Sequence, residues 1–403
     1  MMLAYEQKFL LKSAKKTMRL GEVATEIKAG FACGKFELDD GDIPHLRPMN
    51  INDDCNFTWE GTKYISLDFF QDKQKYSLKK GDILFNNTNS TELVGKSCYI
   101  SEDYECGFSN HMTRIRVNET IADSYFLSHI LFGMWKNKTL ESYCHKWVNQ
   151  SGINTEILAN IPIPIPPLNE QQRIVELFQS IEQSIIQVEG QEANLLKLKN
   201  QLLRDLFGKK RQFGNYLSAK DFEQVNFENF ALNISERVEP KQTDLEIYVG
   251  LEHLDSDDLV IRRKGKPEDV IGTKLKIFKG DIIFGKRRAY LRKVAVADFE
   301  GIVSAHSMVL RANEENIEKD FLPYFMQSDE FMNRAVQISE GSLSPTIKWK
   351  TLAQQEFILP KREKQVKLIE VFRQFDETRE LVRKQKETLK NLKQKLLNEI
   401  LGE

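Results

Sequence analysis

Apolar residues recur in alternating steps of four and three along two long stretches of the chain. In the first, Ile174, Phe178, Ile181, Ile185, Val188, Leu195 and Leu202 form a stripe, with Leu198 and Leu206 along its edge. The second repeats it as Leu368, Phe372, Phe375, Val382, Leu389, Leu392, Leu396 and Ile400, with Arg379 where the first has Ile185. This spacing gathers apolar side chains on one helical face, which predicts two helices of about 35 residues, roughly 50 Å long. A half-apolar helix of that length is unstable alone in water, so the pair is expected to form an intramolecular coiled coil. The plainer alternative is two long surface helices lying on a core. Pro166-Pro167 stops the run before the first helix, Asn169 with Gln172 reads as a capping box, and Gly208 and Gly402 suit C-terminal caps.

Outside these stretches, from about 17 to 165 and 212 to 359, the pattern is mixed. Short β-type runs, Ile83-Leu84-Phe85, Cys98-Tyr99-Ile100, Ile247-Tyr248-Val249 and Val294-Ala295-Val296, are expected as strands, several of them after Lys-Gly-Asp turns. Leu127 to Trp135 and Phe321 to Met332 are expected as helices.

The two halves also match motif by motif. Lys80-Gly81-Asp82-Ile83-Leu84-Phe85 recurs 199 residues later as Lys279-Gly280-Asp281-Ile282-Ile283-Phe284. Ser109-x-His111 recurs 195 residues later as Ser304-x-His306, and Pro166, Gln171, Phe178 and Gly208 recur 194 residues later as Pro360, Gln365, Phe372 and Gly402. Landmarks in the same order with nearly constant offsets mean a tandem duplication, each copy a mixed part followed by a long helix. The expected fold class is α+β, with segments 1–165 (mixed), 166–208 (helix), 209–359 (mixed) and 360–403 (helix).

Composition narrows the function. The chain has 403 residues, 41% hydrophobic and 29% charged, enough for two or three domains and typical of a soluble globular protein. No stretch approaches the apolar length of a membrane span, and the start, with scattered lysines and a Glu, does not read as a secretory signal, so a cytoplasmic chain without a membrane role is expected. The five cysteines, Cys33, Cys55, Cys98, Cys106 and Cys144, are never spaced as CxxC and read as ordinary thiols. A net charge of −1 gives no global case for nucleic acid, but from Arg262 to Lys293 twelve Lys or Arg face only Glu268, Asp269 and Asp281. Such a block can draw phosphates in at short range.

The parts of an enzyme are missing. Gly95-Lys96-Ser97 ends like a phosphate loop, but Ser90 stands where its first glycine belongs, and there is no GxGxxG, HExxH or GxSxG. No Asn/Asp-Pro-Pro-Tyr/Phe tetrapeptide of an amino-methyltransferase occurs either. The six histidines, His45, His111, His129, His145, His253 and His306, show no metal-ligand spacing with Cys or carboxylates, so no metal is expected. For His111 and His306 a hydrogen-bonded turn histidine stands beside a DNA contact as an equal reading.

The run from Ile161 to Ile174, Ile-Pro-Ile-Pro-Ile-Pro-Pro-Leu-Asn-Glu-Gln-Gln-Arg-Ile, resembles the segment that closes each recognition domain and opens each long helix in specificity subunits of type I restriction-modification systems. Met18 to Ala24, the two Lys-Gly-Asp motifs and Tyr248 to Leu254 are similar to that family too, so the resemblance spans nearly the whole chain. The second copy departs from it at Leu359-Pro360-Lys361-Arg362-Glu363-Lys364-Gln365, which lacks the Pro-Pro pair and the Asn cap, so the start of the second helix is less defined. The resemblance implies two target-recognition domains held apart by antiparallel helices and a bipartite DNA target with a fixed spacer. It also implies a chain that is not itself an enzyme, with two methyltransferase subunits carrying S-adenosylmethionine and restriction subunits as partners. A coiled-coil scaffold for proteins, and a solitary DNA-binding chain without a modification partner, are the alternatives.

The family offers no motif for base contacts, so the candidate contacts come from residue chemistry. In the second copy Lys286, Arg287, Arg288, Tyr290 and Arg292 follow a strand and gather cations around one aromatic, suited to guanine edges and phosphates, or a plain solvated basic face. The first-copy counterpart, Asn86, Asn87, Thr88 and Asn89, offers amides that can pair with adenine, or a plain polar turn. Ser342, Ser344, Thr346 and Lys348, and their counterparts Gln150, Ser151 and Asn154, are candidates for phosphate contacts, with Arg47, Asn50 and His253 behind them.

Overall fold

The four sequence-predicted β runs all fold as strands, and each copy sets three or more of its strands into an antiparallel sheet beside its helices. The computed structural model describes residues 16–208, 211 and 213–402; the segment 1–15, read above as free of an export signal, lies outside the described residues. The chain divides into two compact units, one ending at Gln187 and resuming at Gln385, the other Val188–Lys384.

In the first unit Ala24–Ala29, Met112–Val117, Ile83–Asn86 and Ser97–Tyr99 form one sheet in that order. In the second, Ala231–Ile234, Met308–Ala312, Ile282–Phe284 and Val294–Val296 form its counterpart in the same order. A smaller sheet in each unit contains a parallel pair, His45 opposite Gly107 in one and Tyr248 opposite Ile302 in the other. The helix expected over Leu127 to Trp135 is present as Ser124–Lys136, and it packs on the first sheet. The second-unit run expected as one helix is two, Phe321–Gln327 and Asp329–Gln337, because Ser328 turns extended and its hydroxyl accepts from Phe331 N to cap a new start.

The repeated motifs turn out to be structural joints. Gly81 and Gly280 sit at φ of 91° and 94°, a region favouring glycine, and turn the chain into the strand. The adjoining aspartates are buried. Asp82 accepts from Lys79 N at 2.8 Å and Arg116 Nε at 2.8 Å; Asp281 accepts from Phe278 N at 2.9 Å and Arg311 Nε at 2.7 Å. Gln171 and Gln365 each donate back to the proline carbonyl five residues earlier, at 2.7 and 2.8 Å, and accept from Asp123 N and Glu318 N. Because Asp281 closes a turn and holds a guanidinium, Asp281→Ala is expected to destabilise the second unit by about 2 kcal/mol. Urea unfolding followed at Trp349 fluorescence, in a background with Trp59, Trp135 and Trp147 replaced by Phe, measures it, and a loss under about 0.5 kcal/mol would deny the joint its role.

The long helices run Leu168–Phe207 and Arg362–Leu401, longer than predicted. The first begins before the expected cap: Glu170 N and Gln171 N already donate to Pro167 O, so Asn169 lies inside the first turn. Gly402 closes the second helix at φ 83°, whereas Gly208 has no left-handed backbone. Each unit takes half of each helix. In the first, Ile174, Phe178 and Ile181 share a core with Leu396, Leu397 and Ile400; in the second, Leu203, Leu206 and Phe207 share one with Leu368, Ile369 and Phe372. The apolar stripe is interrupted midway, where Leu198 is exposed and Lys199 is buried against Asp376 at 2.6 Å. Seven residues back along one helix and seven on along the other, Glu192 accepts from Arg383 Nε at 2.5 Å. In the first unit Lys393 meets Glu182 at 2.5 Å, the same pair as Lys199 and Asp376 displaced by the 194-residue repeat.

Candidate nucleic-acid interface

A strand followed by a polar loop, with a second loop laid beside it, builds the candidate surface in each copy. In the second unit the strand Ile282–Phe284 runs on into Gly285 and Lys286, and the Lys286–Arg288 backbone pairs with the loop Glu340–Ile347. Arg287 bridges to Thr346, Arg288 N donates to Pro345 O at 2.8 Å, and Ile347 N donates to Lys286 O at 3.0 Å. In the first unit Thr88–Asn89 pairs with Ser151–Gly152, which pairs in turn with His145–Lys146. The pair Thr88 and Gly152 is displaced from Arg287 and Thr346 by 199 and 194 residues, two of the offsets of the repeat, so the two loops expected as counterparts are counterparts in space.

Charge in the second-unit surface is more localised than the sequence window suggests. Within the basic block, Arg262 pairs with Asp258 and Glu380, Arg263 with Asp255, Lys264 with Asp298, Lys266 with Glu268 and Lys276 with Glu236. Arg292 is held inward, donating to Asp257 at 2.7 Å, Asp329 at 3.0 Å and Gln327 O at 2.6 Å. Among the described residues no carboxylate lies within ion-pair reach of Lys286, Arg287 or Arg288. Arg287 instead donates to Ser344 Oγ and lies 3.2 Å from His306 Nε2. Burial, then Arg287, Lys286 and Lys274, push the His306 imidazole below its usual range, and burial with Arg237 does the same to the Lys286 ammonium. Cations crowded without a counter-charge, beside the exposed Arg288 and Tyr290, are a surface complementary to phosphate. Ser342, Ser344, Thr346 and Lys348 join it on the adjacent loop, Lys348 through a 2.6 Å pair with Glu340.

The structure does not bring every predicted residue to a surface. Asn86 is buried with its amide on Leu93 O at 2.9 Å, and Asn87 is buried on Asn110 O and Thr113 Oγ1. Both are turn-building amides, leaving Thr88 and Asn89 half-exposed in that loop. Asn50 is buried as well, donating to Thr58 O, Glu60 O and Thr62 Oγ1, and Ser151 is buried against Thr91 Oγ1 at 2.7 Å. Asn154 caps the helix Thr155–Ala159 through Ile157 N, His253 accepts from Gly250 N at 3.1 Å, and Arg47 pairs with Glu37 at 3.2 Å. Gln150 is exposed at the tip of the His145–Gly152 hairpin beside Trp147 and Val148, two exposed apolar residues that the sequence reading passed over. A further grouping was invisible in the sequence: ligand atoms of Cys33, Glu37 and His45 lie within 4.8 Å of one another.

Comparison with known proteins follows the duplication. The family model described as type I restriction modification DNA specificity domain matches residues 12–198 and 260–391, one match in each copy. A chain described as the type I restriction enzyme MjaX specificity subunit of Methanocaldococcus jannaschii is 25% identical over 343 residues, 82% of this chain and 80% of its own length. The EcoKI specificity subunit of Escherichia coli is 21% identical over 361 residues, 82% of this chain and 75% of its own. In three dimensions the S subunit of a type I restriction-modification system from M. genitalium matches with a TM-score of 0.53 at 13% identity, over 96% of both chains. A chain from a type I R-M system whose complex assembly and conformational transition were studied matches with a TM-score of 0.57 at 17% identity, over 96% of this chain and 97% of that one.

Proposed function

The chain belongs to the family of type I restriction modification DNA specificity domains, and from that premise we propose that it is the DNA-reading subunit of a restriction-modification complex. The observation that carries this reading is the paired surface: two copies of one fold each set a polar loop after the Lys-Gly-Asp strand against a second loop, and in one copy three cations there meet no carboxylate among the described residues. Each copy reads one part of a bipartite duplex target. Two separate readers on one chain yield a spacer fixed by what joins them, the helices within 166–208 and 360–403. The recognition domains are assigned to 1–165 and 209–359.

The two helices form an antiparallel coiled coil in this reading. The repeat-related pairs Glu182 with Lys393 and Asp376 with Lys199, and the opposed seven-residue step from Glu192 and Arg383, support it. The chain itself is non-catalytic; two methyltransferase subunits bring S-adenosylmethionine, and restriction subunits bring cleavage. It works in the cytoplasm, where host DNA is, and among the described residues no helix is long and apolar enough to cross a membrane.

Co-expression with the methyltransferase subunit, followed by mapping of methylated adenines in host DNA, tests the reading. A single split motif with one spacer length, absent when this chain is omitted, is the expected result. A soluble complex that leaves the DNA unmethylated would instead favour the scaffold or a solitary binder.

A further inference from the structure

We propose that Cys33, Glu37 and His45 of the first copy bind a zinc ion. Cys33 ends the loop after strand Ala24–Ala29 and opens the short turn Gly34–Phe36, which places Glu37 directly beyond it. His45 reaches the same point from strand Ile43–Leu46. Cys33 Sγ lies 3.4 Å from His45 Nδ1 and 3.7 Å from Glu37 Oε2, and all three ligand atoms fall within 4.8 Å. Zinc holds sulfur at about 2.3 Å and nitrogen or oxygen at about 2.0 to 2.2 Å, so the edges of its tetrahedron that meet at sulfur are about 3.5 Å, between the two Sγ separations found here.

The surroundings are those of a metal ligand set. His45 Nε2 sits 3.2 Å from Phe31 O, and a carbonyl only accepts, so Nε2 carries the proton and Nδ1 turns its lone pair toward Cys33. The other oxygen of Glu37, Oε1, accepts from Arg47 Nη1 at 3.2 Å, which leaves Oε2 oriented toward the thiol. Ile43, Ile65 and Phe70 pack behind Cys33 as an apolar wall, while the Glu37 side chain is part-exposed, the side from which a water would complete a tetrahedral set. On binding, the Cys33 thiol gives its proton to solvent and the thiolate takes the metal.

The grouping is not demanded by the fold. In the second copy the strand position opposite Ile302, the residue 195 after Gly107, is Tyr248 where the first copy has His45. A tyrosine therefore serves the same strand pairing, and a Cys–His contact is an addition of the first copy.

Zinc chloride titrated into the metal-free full-length chain, against a chromophoric chelator, tests the site. One zinc per chain is expected, and cobalt(II) in its place should show the intense sulfur-to-metal charge-transfer band of a tetrahedral thiolate site. Cys33→Ser and His45→Tyr should each weaken binding at least about 100-fold and remove that band, with circular dichroism unchanged. His45→Tyr copies the residue the second unit folds with, which keeps the test open should Cys33→Ser misfold. The site is overturned by zinc bound below one-tenth stoichiometry, or by stoichiometric zinc held equally well by either folded variant.

Discussion

Replacing Arg287 and Arg288 together by alanine is expected to weaken binding of duplex DNA by about 100-fold, corresponding to about 1 to 2 kcal/mol for each lost contact. It should also shallow the dependence of log affinity on log salt by about two units, because each phosphate contact contributes a slope near −0.9. The reason lies in partners rather than in net charge. Lys266 belongs to the same basic block but pairs with Glu268 at 3.2 Å, whereas Arg287 and Arg288 meet no carboxylate among the described residues. Lys264→Ala together with Lys266→Ala removes the same two charges from elsewhere in the block, both of them paired with carboxylates, and is expected to leave affinity within about threefold. Equilibrium binding of a labelled duplex to the full-length chain across a salt series separates the two. Equal losses in both variants would return the effect to the block's overall charge, and no loss in the double variant would take the loop out of the interface.

That contrast also explains what could be read from the sequence and what could not. The duplication, the two long helices and the four sampled strands were legible because repeats and periodicity are local properties of the chain. The work done by the repeated motifs was not. Lys-Gly-Asp could be seen twice, but that Asp82 and Asp281 are buried acceptors for Arg116 and Arg311 depends on strands some thirty residues away. Counting charges between Arg262 and Lys293 missed the acids that neutralise them, since Asp255, Glu236, Asp298 and Glu380 all lie outside that window. The same limit affected the amides. Asn86 and Asn50 carry the chemistry that reads adenine, yet their neighbours in space, Leu93 O in one case and Thr58 O in the other, use that chemistry to build turns. Leu198 was counted into an apolar edge that the folded chain leaves exposed, because Lys199, one residue on, reaches Asp376 from the buried side. Cys33, Glu37 and His45 are brought together by a turn and a neighbouring strand, so no ligand spacing marked them.

Acid should unfold the first unit in a way that Glu182→Gln largely removes. Burial raises the Glu182 carboxyl, but the hydrogen bond and charge of His129, at 2.8 Å, and the ammonium of Lys393, at 2.5 Å, outweigh it and hold the group at about 2 against an ordinary 4.5. A carboxyl depressed on folding binds its proton more readily in the unfolded chain. Its stabilisation is therefore complete above about pH 4.5 and is lost as pH falls toward 2. A depression of that size is worth about 3 kcal/mol. In a Trp349→Phe background the remaining tryptophans, Trp59, Trp135 and Trp147, all lie in the first unit, so urea unfolding followed by fluorescence reports that unit alone. Between pH 4.5 and 2 the parent should lose about 3 kcal/mol more than the Glu182→Gln variant, which should start about 2 to 3 kcal/mol lower at pH 7. Other depressed carboxyls of the unit, Glu26 among them, titrate in both proteins and cancel in the difference. Parallel curves for the two proteins would mean that Glu182 ionises no more readily in the folded chain than in the unfolded one. The charged contact it makes with the last helix would then contribute nothing to holding the first unit together.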